Sequence, residues 1–142
     1  MADGNFLPEE DQVYLRAKTI PHSLLREMIG PQEDRRGIEF PDFQLPANLF
    51  QRRDGQLVAG GSVSVLVLIP KGYAQVRLDS WYVSPPVFLA NGSSADRAGS
   101  EVQLFGRRWQ FWSRHLQDGE WRAGIDGLET YLQYVHAGLR NP

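Results

Sequence analysis

The chain of 142 residues contains no cysteine. That one absence excludes disulfides, thiolate metal ligands and thiol nucleophiles together. Histidine is almost as scarce: His22, His115 and His136 are far apart and lack zinc-ligand spacing, so neither a metal site nor a cofactor is expected. No sign of charge dominates, since 15 Lys and Arg face 17 Asp and Glu for a formal net charge of −2. No global field therefore draws the chain to nucleic acid or to an anionic membrane. Long apolar runs are missing too. The longest, Val65-Leu66-Val67-Leu68-Ile69, falls far short of the roughly 20 residues that cross a bilayer. The start, Met1-Ala2-Asp3-Gly4-Asn5, has neither the basic flank nor the apolar centre of a secretory signal, and a cytoplasmic location is expected.

What is present suffices for one packed domain. Hydrophobic residues make up 42% and aromatics 11%, which suits a globular core and not a disordered chain. Residues 1–8 read as a flexible arm and 9–142 as a single domain. Glu9-Glu10-Asp11 ahead of Val13, Tyr14 and Leu15 marks a helix start. Ser23 is placed to cap a second short helix over Leu24, Leu25 and Met28, ended by Gly30-Pro31.

From Ile38 the apolar period shortens. Ile38, Phe40, Phe43 and Leu45, interrupted by Pro41 and Pro46, predict an edge strand. Asp54-Gly55 predicts a tight turn. Val63 to Ile69, rich in β-branched residues, predicts the central buried strand. Trp81-Tyr82-Val83 and Val87-Phe88-Leu89 are expected near the end of the sheet, and Asn91 to Ser100 as a loop. Ile125, Leu128, Leu132, Val135 and Leu139 recur at three- and four-residue steps, the spacing of a C-terminal helix. Gly60-Gly61 is internal and reads as a turn or bulge. The expectation is an α+β domain: an N-terminal helix or helices, an antiparallel four-stranded meander, a long loop and a C-terminal helix.

The chemistry-bearing run is Trp109-Gln110-Phe111-Trp112-Ser113-Arg114-His115. It carries an alcohol and an imidazole among large aromatics. A serine hydroxyl is scarcely ionised at neutral pH and needs an adjacent base to attack a carbonyl; His115 is the nearby candidate. Residues two apart diverge on a helix, so the pair meets only in an extended or turn conformation. The bland reading makes Ser113 a structural serine, His115 a packing residue, and Trp109, Trp112 and Trp121 core, sealing the final helix onto the sheet. Asp126 reads as a first-turn acid of that helix or as a residue that orients a lysine. Arg107, Arg108, Arg114 and Arg122 interleave with the aromatics, a mix that grips single-stranded nucleic acid in some proteins, but on a slightly acidic chain nucleic acid is an unfavoured partner.

Phe43-Gln44-Leu45-Pro46, Ile69-Pro70-Lys71-Gly72-Tyr73, Ser84-Pro85-Pro86, the Trp109–His115 run and Trp121-Arg122-Ala123-Gly124-Ile125-Asp126-Gly127-Leu128 occur in an order that resembles the ubiquitin-conjugating (UBC) fold. More closely, the chain is similar to the bacterial family E of that superfamily, encoded beside ubiquitin-like proteins and their activating enzymes. In familiar members the catalytic cysteine lies eight residues before a tryptophan. The resemblance thus implies Ser113 at the nucleophile's place ahead of Trp121, with His115 as base and Trp112, Arg114, Trp121 and Asp126 as binding residues. The cysteine itself and the His-Pro-Asn tripeptide are missing, with Phe105-Gly106-Arg107-Arg108 in the latter's zone. The implied activity is acceptance of a ubiquitin-like protein, as an oxyester, from an activating-enzyme-like adenylating protein. A catalytically inactive adaptor binding the same two partners is the alternative, and for such gene clusters the resemblance implies a role in defence against phage.

Overall fold

The computed structural model describes residues 5–117 and 119–142, so Met1–Gly4 of the expected arm lie outside it. In chain order the elements are α1 (Glu9–Ala17), β1 (Ser23–Gly30), β2 (Glu33–Gln44), β3 (Phe50–Arg53), β4 (Gln56–Ala59), β5 (Ser62–Leu68), β6 (Trp81–Ser84), β7 (Val87–Phe88), β8 (Ser100–Leu104), β9 (Arg107–Trp112) and α2 (Leu128–Arg140). Six strands form one antiparallel sheet in the order β1-β2-β5-β6-β9-β8, and β4-β3-β7 form a small second sheet. The α+β class stands, with a helix at each end. In place of four strands the main sheet has six. Among the described residues no helix is long and apolar enough to cross a membrane.

Two of the extra strands arise where the sequence suggested something else. Residues 23–30 pair with β2 and are not helical. Leu24 packs into the main core and Leu25 into a smaller cluster with Leu66, Leu104 and Trp109. Adjacent leucines serving opposite faces is a strand's requirement, since successive side chains alternate. Trp109 to Trp112 form β9, where Trp81 faces Trp112, Tyr82 faces Phe111 and Val83 faces Gln110. Gln110 and Trp112 thus lie on the face that carries the main core, Gln110 bonded to the Val87 backbone, while Trp109 sits beneath the other face and does not seal the helix.

β2 is internal, flanked by β1 and β5; the register shift between Phe40 and Phe43 absorbs Pro41 as a bulge, which is how an inner strand tolerates proline. β5 lies third of six with Val63, Val65, Leu66 and Val67 buried, as the apolar run requires. β6 is also internal, and β7 joins the second sheet. The turns at Asp54-Gly55 and Gly60-Gly61 have positive φ at all four residues.

α2 lays Leu128, Tyr131, Leu132, Val135 and Leu139 on the sheet. It starts later than the periodicity suggested: Ile125 is exposed, and Asp126 precedes the helix. Trp81 stacks on Trp112 at 5.8 Å and meets Tyr134 edge-on at 5.9 Å. Such aromatic pairs contribute about 0.5–1.5 kcal/mol each beyond their burial. Leu7, just ahead of α1, is buried in the same core.

The helices meet through Asp11. Its Oδ1 accepts from the Leu128 amide at 3.1 Å and its Oδ2 from the Tyr73 hydroxyl at 2.5 Å, capping α2 with a residue of α1. Burial raises the Asp11 pKa above the ordinary 3.8, outweighing the two donors that lower it. A carboxyl held above its unfolded pKa binds its proton more tightly when folded. Its contribution is therefore most favourable at acid pH and diminishes as pH rises through the folded pKa.

Two outcomes follow. In Asp11→Asn, the amide still accepts from Leu128 and donates to the Tyr73 oxygen, so urea midpoints measured from pH 4 to 7 should move in the variant's favour relative to wild type as pH rises. In Gly138→Ala, the new Cβ runs into the Trp81 ring, and overpacking of this kind should cost about 1–3 kcal/mol of unfolding free energy, read as a lowered urea midpoint.

Candidate active site

β9 ends at Trp112, and the Arg114 amide bonded to the Trp112 carbonyl at 3.0 Å closes a three-residue turn on Ser113, the non-helical geometry in which Ser113 and His115 can meet. The Ser113 Oγ lies 3.3 Å from His115 Nε2, in a contact at the protein surface. His115 Nδ1 lies 2.8 Å from Asp79 Oδ2. An ionised carboxylate only accepts, so Nδ1 carries the proton in this pair. Neutral His115 then presents the Nε2 lone pair to the Ser113 hydroxyl. This is the orientation of a serine–histidine–aspartate relay, in which the carboxylate sets the tautomer and stabilises the imidazolium that forms.

The relay is built by strand pairing. Beyond the Trp81–Trp112 pair, the Ser80 amide and Ser80 Oγ both donate to the Arg114 carbonyl, at 3.0 and 3.1 Å. That brings the residue before Ser80 level with the residue after Arg114. α2 clamps both segments: Tyr131 donates to the Ser80 carbonyl at 2.6 Å and Tyr134 to the His115 carbonyl at 3.2 Å. Ser80 has φ 58°, a left-handed turn that ends the β6 alternation and frees Asp79 from the sheet. Asp79 also borders an open groove of about 480 Å³, floored by Leu68, Ile69 and Val76 with Lys71 and Arg77 at the rim.

Stabilisation of an oxyanion is less complete. The Ser113 amide donates to the Arg97 carbonyl at 2.9 Å and the Arg114 amide to the Trp112 carbonyl at 3.0 Å. Neither is free to receive a developing negative charge in this conformation. Phe105-Gly106 forms the β8–β9 turn at the opposite end of β9, a strand of about 20 Å at roughly 3.3 Å per residue.

The remaining residues singled out from the sequence divide into two groups. Trp112 is fully buried, its indole donating to Gln110 Oε1 at 2.9 Å. Arg114 lies 5.0 Å over the Trp112 ring and donates to the Asp96 carbonyl at 2.9 Å; burial, with Arg97 nearby, lowers its pKa from the usual arginine value. These two flank Ser113. Trp121 and Asp126 act elsewhere. Trp121 donates to the Ala74 carbonyl at 2.9 Å. Asp126 receives the Arg122 amide at 2.6 Å and its guanidinium at 3.1 Å, which hold the carboxyl below its usual range. Trp121 ties the segment between β9 and α2 to the chain that follows β5, and Asp126 closes a turn within that segment. The other arginines are engaged as well, Arg107 with Glu39 and Arg108 with Glu101, leaving little of the cationic stripe that nucleic acid needs.

Asp79 was missed by sequence reasoning. Nothing in Leu78-Asp79-Ser80 marks it; only the pairing of β6 with β9, remote in sequence, brings it to His115.

The description "Prokaryotic E2 family E" belongs to a family model that matches residues 7–141. No curated protein and no solved structure matches the chain. A match over nearly the whole length, on a fold whose serine stands eight residues before Trp121, settles the kinship: this cysteine-less chain belongs to prokaryotic E2 family E, a conjugating-enzyme-like branch of the UBC superfamily.

Proposed function

We propose that the protein accepts the C-terminal carboxyl of a ubiquitin-like protein from an adenylating, activating-enzyme-like partner, as an oxyester on Ser113. The observation that supports this is the Ser113–His115–Asp79 relay, at the position where the resemblance puts the nucleophile. His115 Nε2 takes the hydroxyl proton as Oγ attacks the activated carbonyl. The Oγ–C bond forms, the bond to the activating partner breaks, and the leaving group departs with the proton. Transfer onward reverses the roles: an amine attacks the ester and gives a proton to Nε2, C–Oγ breaks, and the imidazolium passes that proton to Oγ. A positioned general base contributes about 10²- to 10⁴-fold to such a step. Trp112 and Arg114 frame the serine, while Trp121 and Asp126 hold the segment that carries it.

A second reading, the non-catalytic adaptor, draws on the two occupied amides. With Ser113 and Arg114 N–H groups bonded to carbonyls, the acyl carrier needs a local shift or a partner to supply oxyanion donors.

The two readings separate on covalency. The chain, mixed with its genomically neighbouring ubiquitin-like protein, adenylating protein and ATP, should gain the mass of that protein less one water in intact-mass spectra. The adduct should withstand thiols and yield to hydroxide, and Ser113→Ala should abolish it. Loading that persists in Ser113→Ala would displace the assignment of that residue, and stable complex formation without an adduct would favour the adaptor.

A further inference from the structure

The relay is assembled in the isolated chain, and it is open. The His115 side chain is 52% exposed and that of Asp79 36%, and the Ser113–His115 contact lies at the surface. An acyl group on Ser113 would therefore stand within reach of bulk water, beside a base already oriented to deprotonate it. From this we infer that the site is also a serine esterase: it takes small activated carboxylic esters onto Ser113 and discharges them onto water, with no protein partner. The inference uses the same relay as the carrier reading but needs neither the ubiquitin-like protein nor the adenylating partner.

The steps balance with water as the only co-reactant. With p-nitrophenyl acetate, Oγ attacks the carbonyl while Nε2 takes its proton. The bond from carbonyl to aryl oxygen breaks, p-nitrophenolate leaves, and the imidazolium releases its proton to solvent. Water then gives a proton to Nε2 as its oxygen adds to the acetyl carbonyl. The C–Oγ bond breaks, Oγ recovers the proton, and acetic acid departs and ionises. Asp79 never meets the substrate. It is a positioning residue that keeps the Nε2 lone pair aimed at Ser113, and asparagine there would favour the wrong tautomer, as it does in serine hydrolases built on the same relay.

The rate should be modest, because the amides beside Ser113 are engaged with the Arg97 and Trp112 carbonyls, and loss of a single oxyanion donor costs about 10²- to 10³-fold in a developed hydrolase. Exposed imidazoles also hydrolyse p-nitrophenyl acetate unaided, so the test must separate serine from imidazole chemistry.

The test uses the full chain, p-nitrophenyl acetate, and absorbance of the released phenolate from pH 5 to 9, with mass spectrometry of the quenched protein. Near-ultraviolet circular dichroism of the Trp81–Trp112 stack confirms that each variant is folded. The expected result is catalytic turnover at least tenfold above buffer, an acetyl group mapped to Ser113, and a fall of at least tenfold in Ser113→Ala. Asp79→Asn should also lose at least tenfold and change the shape of the pH profile, whereas Asp54→Asn, in the turn between β3 and β4, should leave the rate unchanged. A rate equal in wild type and Ser113→Ala, or an acetyl group found on His115 or a lysine but not on Ser113, would overturn the inference. So would a stable acetyl-Ser113 that does not turn over. Ester turnover without loading by the ubiquitin-like protein leaves the esterase standing and removes the carrier, and loading without ester turnover does the reverse.

Discussion

Two donors from Ser80 to one carbonyl of Arg114 are the constraint on which the site depends. The amide and the hydroxyl of Ser80 both reach that oxygen, extending the β6–β9 pairing one step beyond the sheet. Without this extension Asp79 would be a loop acid and His115 an exposed imidazole. With it, two residues separated by 35 intervening positions stand 2.8 Å apart. Tyr131 and Tyr134 of α2 reinforce the arrangement, since each hydroxyl bonds to a backbone carbonyl of one of the two segments. The hydrophobic stripe that binds α2 to the sheet, with Leu132, Val135 and Leu139, thereby also fixes the spacing of Asp79, His115 and Ser113. Packing energy and relay geometry are coupled through the same helix.

With no thiol in the chain, the proposed acyl transfer has to run on oxygen. A thiol reaches a useful thiolate fraction near neutral pH without help, and a hydroxyl does not. A serine at the acyl-accepting position makes sense only beside a base, and the base in turn only with something to hold its tautomer. All three groups are found within hydrogen-bonding reach in this chain. What the site lacks in this conformation is a free pair of amides for the oxyanion. An incomplete site of this kind suits an enzyme whose partner completes it, and it sets a low ceiling on what the chain does alone.

Much of the fold was legible in the residues themselves. The run Val63 to Ile69 was apolar and β-branched enough to mark the inner strand, and Leu128, Leu132, Val135 and Leu139 kept the helical step. Residues 23–30 misled because Leu24, Leu25 and Met28 satisfy a helical spacing, whereas in the strand Leu24 and Leu25 pack on opposite faces and Met28 is exposed. Only the partner strand decides. Pro41 suggested an edge because the bulge that accommodates it is a property of the pairing with β5, not of β2 alone. At the site, Ser113 and His115 were readable because they are near neighbours in the chain, outside any helix. Asp79 was not, since its role rests on contacts between distant segments and on the turn at Ser80.

Asp79 fixes His115 with its Nε2 lone pair on Ser113, and the imidazole nitrogens report this directly. Nitrogen-15 chemical shifts of His115, recorded at a pH where the ring is neutral, should show Nδ1 protonated and Nε2 bare. Asp79→Asn should pull both shifts toward a tautomeric average. A neutral His115 protonated at Nε2 in the wild-type chain, or shifts that ignore the Asp79 substitution, would contradict it.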